Sequence, residues 1–87
     1  MEKRIGSAII LLENTSSVNS LNEAIFQHSS IIIGRQGIPM RGQGINIISL
    51  VLYGTTDEIG SLTGKIGRLP DIQVKSVLLK GNYMIDD

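Results

Sequence analysis

One structural unit occurs twice in this chain of 87 residues, and the repeat limits its folds more than any other feature. Each copy has an apolar strand, a short polar segment and an amphipathic helix. When the first half is shifted onto the second, three pairs of apolar helix positions coincide: Val18 with Ile59, Leu21 with Leu62, and Ile25 with Ile66. The strands before the helices coincide too, with residues 9–12 falling on residues 50–53. Such repetition indicates two copies of one supersecondary unit.

The first half predicts a strand, a helix and a second strand. Residues 4–13 form a run of Ile and Leu between charged and polar neighbours, which is typical of a buried strand. Residues 14–17 offer side chains that favour a helix N-cap, and apolar residues at helical spacing then predict a helix that reaches His28. The β-branched run that begins at Ile31 predicts a strand that continues towards Met40.

A hairpin joins the two halves. Residues 41–44 carry two glycines, which tolerate positive φ angles and therefore predict the tip of the hairpin. Residues 45–53 are rich in Ile, Leu and Val and predict the third strand.

The second helix has a clear start in the sequence. Thr55 and Glu58 have the spacing of a capping box, in which each side chain bonds the backbone of the other residue. The helix is expected to end at Gly67. A turn at residues 69–71 then leads into a last strand from residue 72 to about Lys80.

Two strand–helix–strand units in series give the order βαββαβ. Crossovers of this kind are almost always right-handed, which places both helices on the same face of the sheet. The sequence therefore predicts an α+β fold, a ferredoxin-like sandwich with a four-stranded antiparallel sheet and two helices on one face. A chain of 87 residues has room for a single domain, with a core over about residues 4–80 and a loose tail at residues 81–87.

Charge and cysteine content exclude several classes of function. Eight Lys and Arg balance eight Asp and Glu, so we expect no direct nucleic-acid partner. There is no cysteine to form a disulfide or a thiolate metal site. The basic residues 3–4 and the apolar run after them imitate a secretory signal, but Glu13 ends that run without a cleavage pattern. We expect a cytoplasmic protein with no membrane partner.

The predicted strands are apolar on both of their sides. In the third strand, two apolar sets alternate: Ile45, Ile47 and Val51 on one side, and Ile48, Leu50 and Leu52 on the other. Two helices cover only one face of a sheet, and each large apolar side chain left in water forfeits about 1.5–3 kcal/mol. We therefore expect a homodimer or a tetramer that buries the other face. The alternative is a monomer with scattered apolar residues on its surface.

No group of residues has the composition of a catalytic or metal site. His28 is the only histidine and continues the helical spacing of Ile25, which favours a helix-end histidine satisfied by hydrogen bonds. Asp57 and Glu58 fall in the first turn of a helix, where negative charge complements the helix dipole. The hydroxyls of residues 15–17 have no base near them in the sequence and are interpreted as capping groups. We expect no catalytic residue, no metal and no cofactor.

The segment from Arg35 to Arg41 is the strongest candidate for a ligand site. Its two arginines, the backbone donors near Gly37 and an apolar Ile-Pro-Met stretch have the chemistry to line a pocket for an anion or a small ligand. A solvent-exposed hairpin without a ligand is the alternative.

Four motifs of the chain resemble the family of iron-only hydrogenase system regulators. They are Ile-Ile-Gly-Arg-Gln-Gly-Ile-Pro at 32–39, Gly-Ile-Asn-Ile-Ile-Ser-Leu-Val at 44–51, Gly-Thr-Thr-Asp-Glu-Ile at 54–59, and Leu-Thr-Gly-Lys-Ile-Gly-Arg-Leu-Pro at 62–70. The resemblance covers about residues 4–80. It implies a fold like the ACT domain and the ligand-binding domain of the nickel-responsive regulator, an oligomeric assembly, and a role beside the hydrogenase maturation system.

The chain differs in two features from amino-acid-binding ACT domains and from the nickel-responsive regulator. The loop at residues 13–17 lacks the glycine typical of amino-acid-binding ACT loops. The His and Cys ligands of the nickel-responsive regulator have no counterparts in this chain. The resemblance therefore does not imply nickel sensing.

The resulting hypothesis is a non-enzymatic, ACT-like regulatory module that oligomerises through its sheet and binds a small-molecule effector at the subunit interface. The expected effector-binding residues lie in two segments near strand ends: Asn14, Thr15, Ser16, Arg35, Gln36 and Gly37. Its protein partner would act either in transcription or in hydrogenase maturation. One alternative is an oligomeric scaffold without a ligand. Another is a small dimeric ferredoxin-like enzyme, which needs a buried titratable group such as His28 or Tyr53.

Overall fold

Residues 2–81, the part of the chain that the computed structural model describes, form four strands and two helices in the order βαββαβ. In chain order they are β1 Arg4–Leu12, α1 Val18–Gln27, β2 Ile32–Met40, β3 Ile45–Gly54, α2 Thr56–Gly67 and β4 Ile72–Leu78. Short 3₁₀ turns at Ser29–Ile31 and Arg41–Gln43 precede β2 and β3. The predicted tail at residues 81–87 lies outside the described residues, apart from Gly81. Within residues 2–81 neither helix has the length and apolar character needed to cross a membrane.

The four strands form one antiparallel sheet in the order β2-β3-β1-β4. β1 pairs with both β3 and β4, and β2 pairs with β3 only, so β2 and β4 are the edge strands. At the predicted hairpin tip, Gly44 adopts a φ of 68°, a left-handed conformation that glycine takes without strain.

The hydrophobic core lies between one face of the sheet and the two helices. The sheet contributes residues that alternate along the two central strands: Ala8, Ile10, Leu12, Ile48, Leu50 and Leu52. The helices contribute Leu21, Ala24 and Ile25 from α1, and Ile59, Leu62 and Ile66 from α2, all of which except Ala24 were predicted from helical spacing. Of the other two predicted positions, Val18 is only partly buried against the core and His28 follows the last residue of α1. Because both helices meet the same face, the predicted ferredoxin-like α+β sandwich is confirmed.

The two helices begin in different ways. The predicted capping box of α2 is confirmed, since the Thr55 hydroxyl oxygen accepts from the N–H of Glu58 at 3.1 Å and Glu58 Oε1 accepts from the N–H of Thr55 at 2.8 Å. The predicted side-chain cap of α1 from residues 14–17 is wrong. The Ser17 hydroxyl instead donates to the carbonyl oxygen of Pro70 at 2.8 Å, which ties the start of α1 to the loop before β4.

Four strand ends differ from the predicted ones. β3 extends one residue past the predicted Tyr53, to Gly54. β1 ends before Glu13, because the N–H of that residue donates to the carbonyl oxygen of Asp71 rather than to a neighbouring strand. β2 begins after Ile31, because the N–H of Ile31 donates to the carbonyl oxygen of His28 within a 3₁₀ turn. β4 ends before the predicted Lys80.

Candidate functional site

The face of the sheet that the helices leave uncovered, here called the outer face, is mostly apolar. Residues opposite one another in the antiparallel register share a face. On this basis the apolar side chains of the outer face come from all four strands: Ile5, Ile9, Leu11, Ile38, Met40, Ile45, Ile47, Val51 and Val77. Ile9 is 54% exposed, Val51 42% and Val77 60%. The prediction that the sheet is apolar on both faces is therefore confirmed.

The polar side chains of the outer face are small or lie at its margins. Within the described strands they are Ser7, Gln36, Ser49, Tyr53, Gln73 and Lys75. Lys75, the one charged residue among them, stands on the edge strand β4, where its long side chain can reach water. The Lys3 ammonium lies 5.4 Å from the ring centroid of Tyr53, which is at the opposite end of the strand from the hairpin. A second copy of this face would meet little charge repulsion.

A cleft of about 390 Å³, here called the α1–β2 cleft, opens between α1 and the edge strand β2. Its walls combine apolar and polar side chains: Leu12, Val18 and Leu21 with Asn22, Arg35 and Asn46. Among the described residues, Arg35 is the only charged one in its lining. The cleft is therefore a small site with one cationic group and an apolar wall.

The helix-side residues of β2 explain why the cleft is open. Beyond a bulge at the start of the strand, the register places Arg35, Gly37 and Pro39 on the side that faces α1. A Cβ atom added to Gly37 would meet no atom within 4 Å. Arg35 reaches across the opening, and its Nη2 donates to Oδ1 of Asn22 at 3.2 Å.

The structure places the predicted effector-binding residues in three different surroundings. Arg35 and Gly37 line the α1–β2 cleft. Gln36, between them, lies opposite Ser49 on the outer face. The loop at residues 14–16 does not line the cleft. Ligand binding by these residues stays a prediction.

Asn14 holds its loop against the turn before β4. Its Nδ2 donates to Oδ2 of Asp71 at 2.6 Å, and its Oδ1 accepts from the N–H of Ser16 at 2.8 Å and from the Ser16 hydroxyl at 2.6 Å. Asp71 has a φ of 59°, which Asp tolerates in tight turns. Asn14 and Ser16 thus already have hydrogen-bond partners within the chain.

Two polar residues of the cleft, Asn22 and Asn46, escape prediction from the sequence. Asn46 shares a side of β3 with Ile48 and Leu50, so a polar residue at a core-facing position was the available signal. Asn22 has no such signal, because its position in α1 has the spacing of an ordinary exposed residue.

His28 ends α1 and is held by hydrogen bonds. Its Nδ1 lies 2.8 Å from the carbonyl oxygen of Ala24, and its Nε2 lies 3.3 Å from the hydroxyl oxygen of Ser61. The predicted helix-end histidine is therefore confirmed. Residues 2–81 contain no group of three or more His, Cys, Asp or Glu placed to hold a metal ion.

Glu58 borders a second cleft, of about 360 Å³, between the ends of the two helices, which Asp57 and His28 also line. The pKa of Glu58 lies below its ordinary value, chiefly because of its hydrogen bond with the N–H of Thr55. The hydrogen bond with the Thr55 side chain and the positive charge of Lys3 lower it further. Its carboxylate is thus held in the charged form as part of the capping box.

Comparison with known proteins identifies a family and a number of similar solved structures. The model of the TM1266-like family, described as "Iron-only hydrogenase system regulator, putative", matches residues 4–76. None of the curated proteins matches the chain. Among solved structures, the chain is similar to the uncharacterized protein TM1266 from Thermotoga maritima, with 38% identity and a TM-score of 0.88. That match covers 91% of this chain and 100% of the other.

More distant structures share the fold alone. The ACT domain from the GTP pyrophosphokinase of Chlorobium tepidum has 17% identity and a TM-score of 0.72, over 86% of this chain and 99% of that one. The C-terminal domain of the MgtC protein from Mycobacterium tuberculosis has 12% identity and a TM-score of 0.68, over 92% of each chain. The fold is thus ACT-like, and the family match over residues 4–76 shows that the chain belongs to the TM1266-like family.

Proposed function

We propose that this protein is a non-enzymatic regulatory module that acts with an iron-only hydrogenase system. Two findings support this function: the description of the family to which the chain belongs, and the ACT-like fold. The chemistry of the α1–β2 cleft agrees with it. Among residues 2–81, the single charged group there is the guanidinium of Arg35, which offers N–H donors and no acceptor atom.

The outer face is the observation that carries the proposal, because its apolar surface fits a second copy of the chain. Ile9, Ile38, Val51 and Val77 are all more than two-fifths exposed on this face. Because each is about half exposed, each forfeits about 1 kcal/mol in water, and the four together are a large loss for a domain whose net stability is about 5–15 kcal/mol. A two-fold contact buries the same patch on both copies and leaves Lys75 at the margin. The proposed assembly is a homodimer, or a tetramer of two such dimers.

The strand β2 links effector binding to this assembly. Successive residues point to opposite faces of a strand. Arg35 and Gly37 therefore face the cleft, while Gln36 and Ile38 face the proposed second copy. An effector bound to Arg35 can displace β2 and so change the subunit contact. The loop at residues 14–16 stays a second candidate for contact with the effector.

Sedimentation equilibrium at micromolar concentration tests the assembly. The wild-type protein is expected to sediment at a multiple of 9.4 kDa. Val51→Lys puts a charge near the middle of the outer face and should give a 9.4 kDa species with an unchanged circular dichroism spectrum. The control Asn19→Lys, on the exposed side of α1, should leave the mass unchanged. A wild-type protein that remains at 9.4 kDa would contradict the proposal.

Affinity purification from the native cell tests the regulatory role. The proposed partner is a hydrogenase maturation protein or a DNA-binding protein that controls hydrogenase genes, since the balanced charge of this chain does not favour DNA contact. Mass spectrometry should identify one of these two kinds of protein with the wild-type bait. Recovery of neither kind from cells that express the hydrogenase would leave an oligomeric scaffold of other purpose as the better account.

A further inference from the structure

We infer that the α1–β2 cleft binds a small monocarboxylate with a branched apolar tail and no ammonium group. The inference names the class of effector, so it rests on the proposed function only in treating this ligand as a regulator. Binding itself depends only on the residues of the cleft.

Arg35 supplies the anchor for a carboxylate. Among residues 2–81, its guanidinium makes one hydrogen bond, to Oδ1 of Asn22 at 3.2 Å, and no carboxylate lines the cleft. A guanidinium has five N–H donors, so most of them remain available to a ligand. Carboxylates accept from such a fork through two parallel hydrogen bonds. The contact with Asn22 holds the Arg35 side chain at the opening before the ligand arrives.

The rest of the cleft favours an apolar tail. Leu12, Val18 and Leu21 form one wall, and the buried Ile48 lies on the same side of the sheet. The volume of about 390 Å³ lies near the lower end of the sizes found for small-molecule sites, about 300–1,000 Å³. A tail of a few branched carbons can therefore enter, while a large ring system would extend into solvent.

An amino acid fits the cleft less well than the corresponding simple acid. Residues 2–81 place no Asp or Glu in the lining that could pair with an ammonium group. Removing an ammonium group from water without an opposite charge is unfavourable. The amide oxygens of Asn22 and Asn46 compensate it only in part.

Gly37 leaves the space that the ligand needs. Glycine weakens the interior of a strand, so its presence there calls for a reason. Packing does not supply one, since a Cβ at Gly37 would meet no atom within 4 Å. The missing side chain instead keeps the cleft open beside Arg35.

An NMR titration of the full ¹⁵N-labelled chain tests the inference with three probes that share one tail. These are 4-methylpentanoate, leucine and 4-methylpentan-1-ol, which present a carboxylate, a zwitterion and a neutral hydroxyl. The acid should give saturable shifts at Gly37, Asn22 and Asn46. Leucine and the alcohol should bind at least about tenfold more weakly, since leucine adds an ammonium group without a partner and the alcohol lacks the carboxylate.

Two variants and two matched controls assign the site. Gly37→Val fills the cleft with a residue that strands favour and should abolish binding of 4-methylpentanoate. Arg35→Gln should weaken binding at least about tenfold. Gly42→Val and Arg41→Gln change the same residue types at the hairpin tip, where a Cβ on Gly42 also meets nothing within 4 Å. Both controls should bind like the wild type.

Three results would each overturn the inference: no saturable binding of the acid, equal affinity in Arg35→Gln, or tighter binding of leucine. Sedimentation separates this failure from failure of the proposed function. An oligomer that does not bind the acid removes only the ligand assignment. A monomer that binds it at Arg35 removes only the proposed assembly.

Discussion

The two halves of the chain share one repeat but cover their edge strands differently. In the second half, α2 lies over β4, whose helix side carries apolar residues that pack against the core: Ile72, Val74 and Leu78. The approach is close, because a Cβ added to Gly67 of α2 would lie 3.5 Å from Cγ1 of Val74. Within residues 2–81, side chains of β4 therefore occupy space beneath α2.

In the first half, α1 lies over a strand that cannot fill the space beneath it. The corresponding side of β2 presents Arg35, Gly37 and Pro39, and the α1–β2 cleft remains between strand and helix. The comparison teaches that the repeat determines where helices and strands lie, whereas the side chains of the edge strand decide whether a cleft remains.

Truncating equivalent leucines in the two helices should give unequal losses of stability. Leu62→Ala opens an enclosed cavity in the filled half and should lower the free energy of unfolding by about 2–5 kcal/mol. Leu21→Ala should lower the free energy of unfolding by less, because Leu21 borders the α1–β2 cleft. The space that its side chain leaves would enlarge this cleft rather than form an enclosed cavity. Urea denaturation at a fixed protein concentration measures both. An equal or larger loss for Leu21→Ala would contradict the contrast.

Adding a methyl group to two strand glycines should have opposite effects. A Cβ on Gly6 would lie 2.7 Å from Cδ2 of Leu78 and 2.9 Å from the carbonyl oxygen of Val77, so Gly6→Ala should destabilise by about 1–3 kcal/mol. Gly37→Ala meets no atom and should stabilise by about 0.4–1 kcal/mol, because it restricts the unfolded chain. The same denaturation experiment reads both. A loss of stability in Gly37→Ala would show that the cleft is closed in solution.

Removing the hydroxyl at the start of each helix compares two interactions: the capping box of α2 and the hydrogen bond from the start of α1 to the loop before β4. Thr55→Ala breaks the capping box and should cost about 1 kcal/mol. Ser17→Ala loses the bond to the Pro70 carbonyl and should cost about 0.5 kcal/mol, since Pro70 is an exposed residue and water can replace the lost donor. Thermal unfolding followed by circular dichroism should rank the two melting temperatures accordingly. The reverse order would mean that the loop before β4 stabilises α1 more than a capping box stabilises α2.

The smallest expected effect concerns pH, because only α2 has acidic residues in its first turn. The pKa of Glu58 is lower in the folded chain than its ordinary value of 4.5. The charged form therefore stabilises the fold above pH 4.5, and this contribution is lost as the pH falls through the lowered pKa. Glu58→Gln keeps an acceptor oxygen without the titration, so its stability should fall less below pH 4.5. Identical acid profiles for Glu58→Gln and wild type would contradict this cause.

Most of the fold follows from patterns that are local in the sequence. The helices were predicted from apolar residues at helical spacing, such as those around Leu21 in α1 and around Leu62 in α2. The turn was predicted from the glycines of the hairpin, and the capping box from the pair Thr55–Glu58. Each of these patterns extends over only a few residues. The cap of α1 was not predictable in this way. The partner of the Ser17 hydroxyl is Pro70, 53 residues away, so only the folded structure brings the two together.

The candidate site was predictable only in part. Arg35 and Gly37 stood out because cationic and flexible residues interrupt an apolar strand. Strand alternation separates them from Gln36, but the face that each set takes depends on the bulge near the start of β2, which shifts the register and which no local pattern marks. Asn22 enters the site because of how α1 packs over β2, and that packing depends on contacts between distant parts of the chain.

The proposal that a second copy covers the outer face can be tested by mixing ¹³C-labelled and unlabelled protein and recording isotope-filtered NOEs. We expect contacts between chains from the methyl groups of Ile9, Val51 and Val77, which lie exposed on that face. The absence of such contacts would contradict the account, as would contacts confined to another surface, such as the exposed Phe26 of α1.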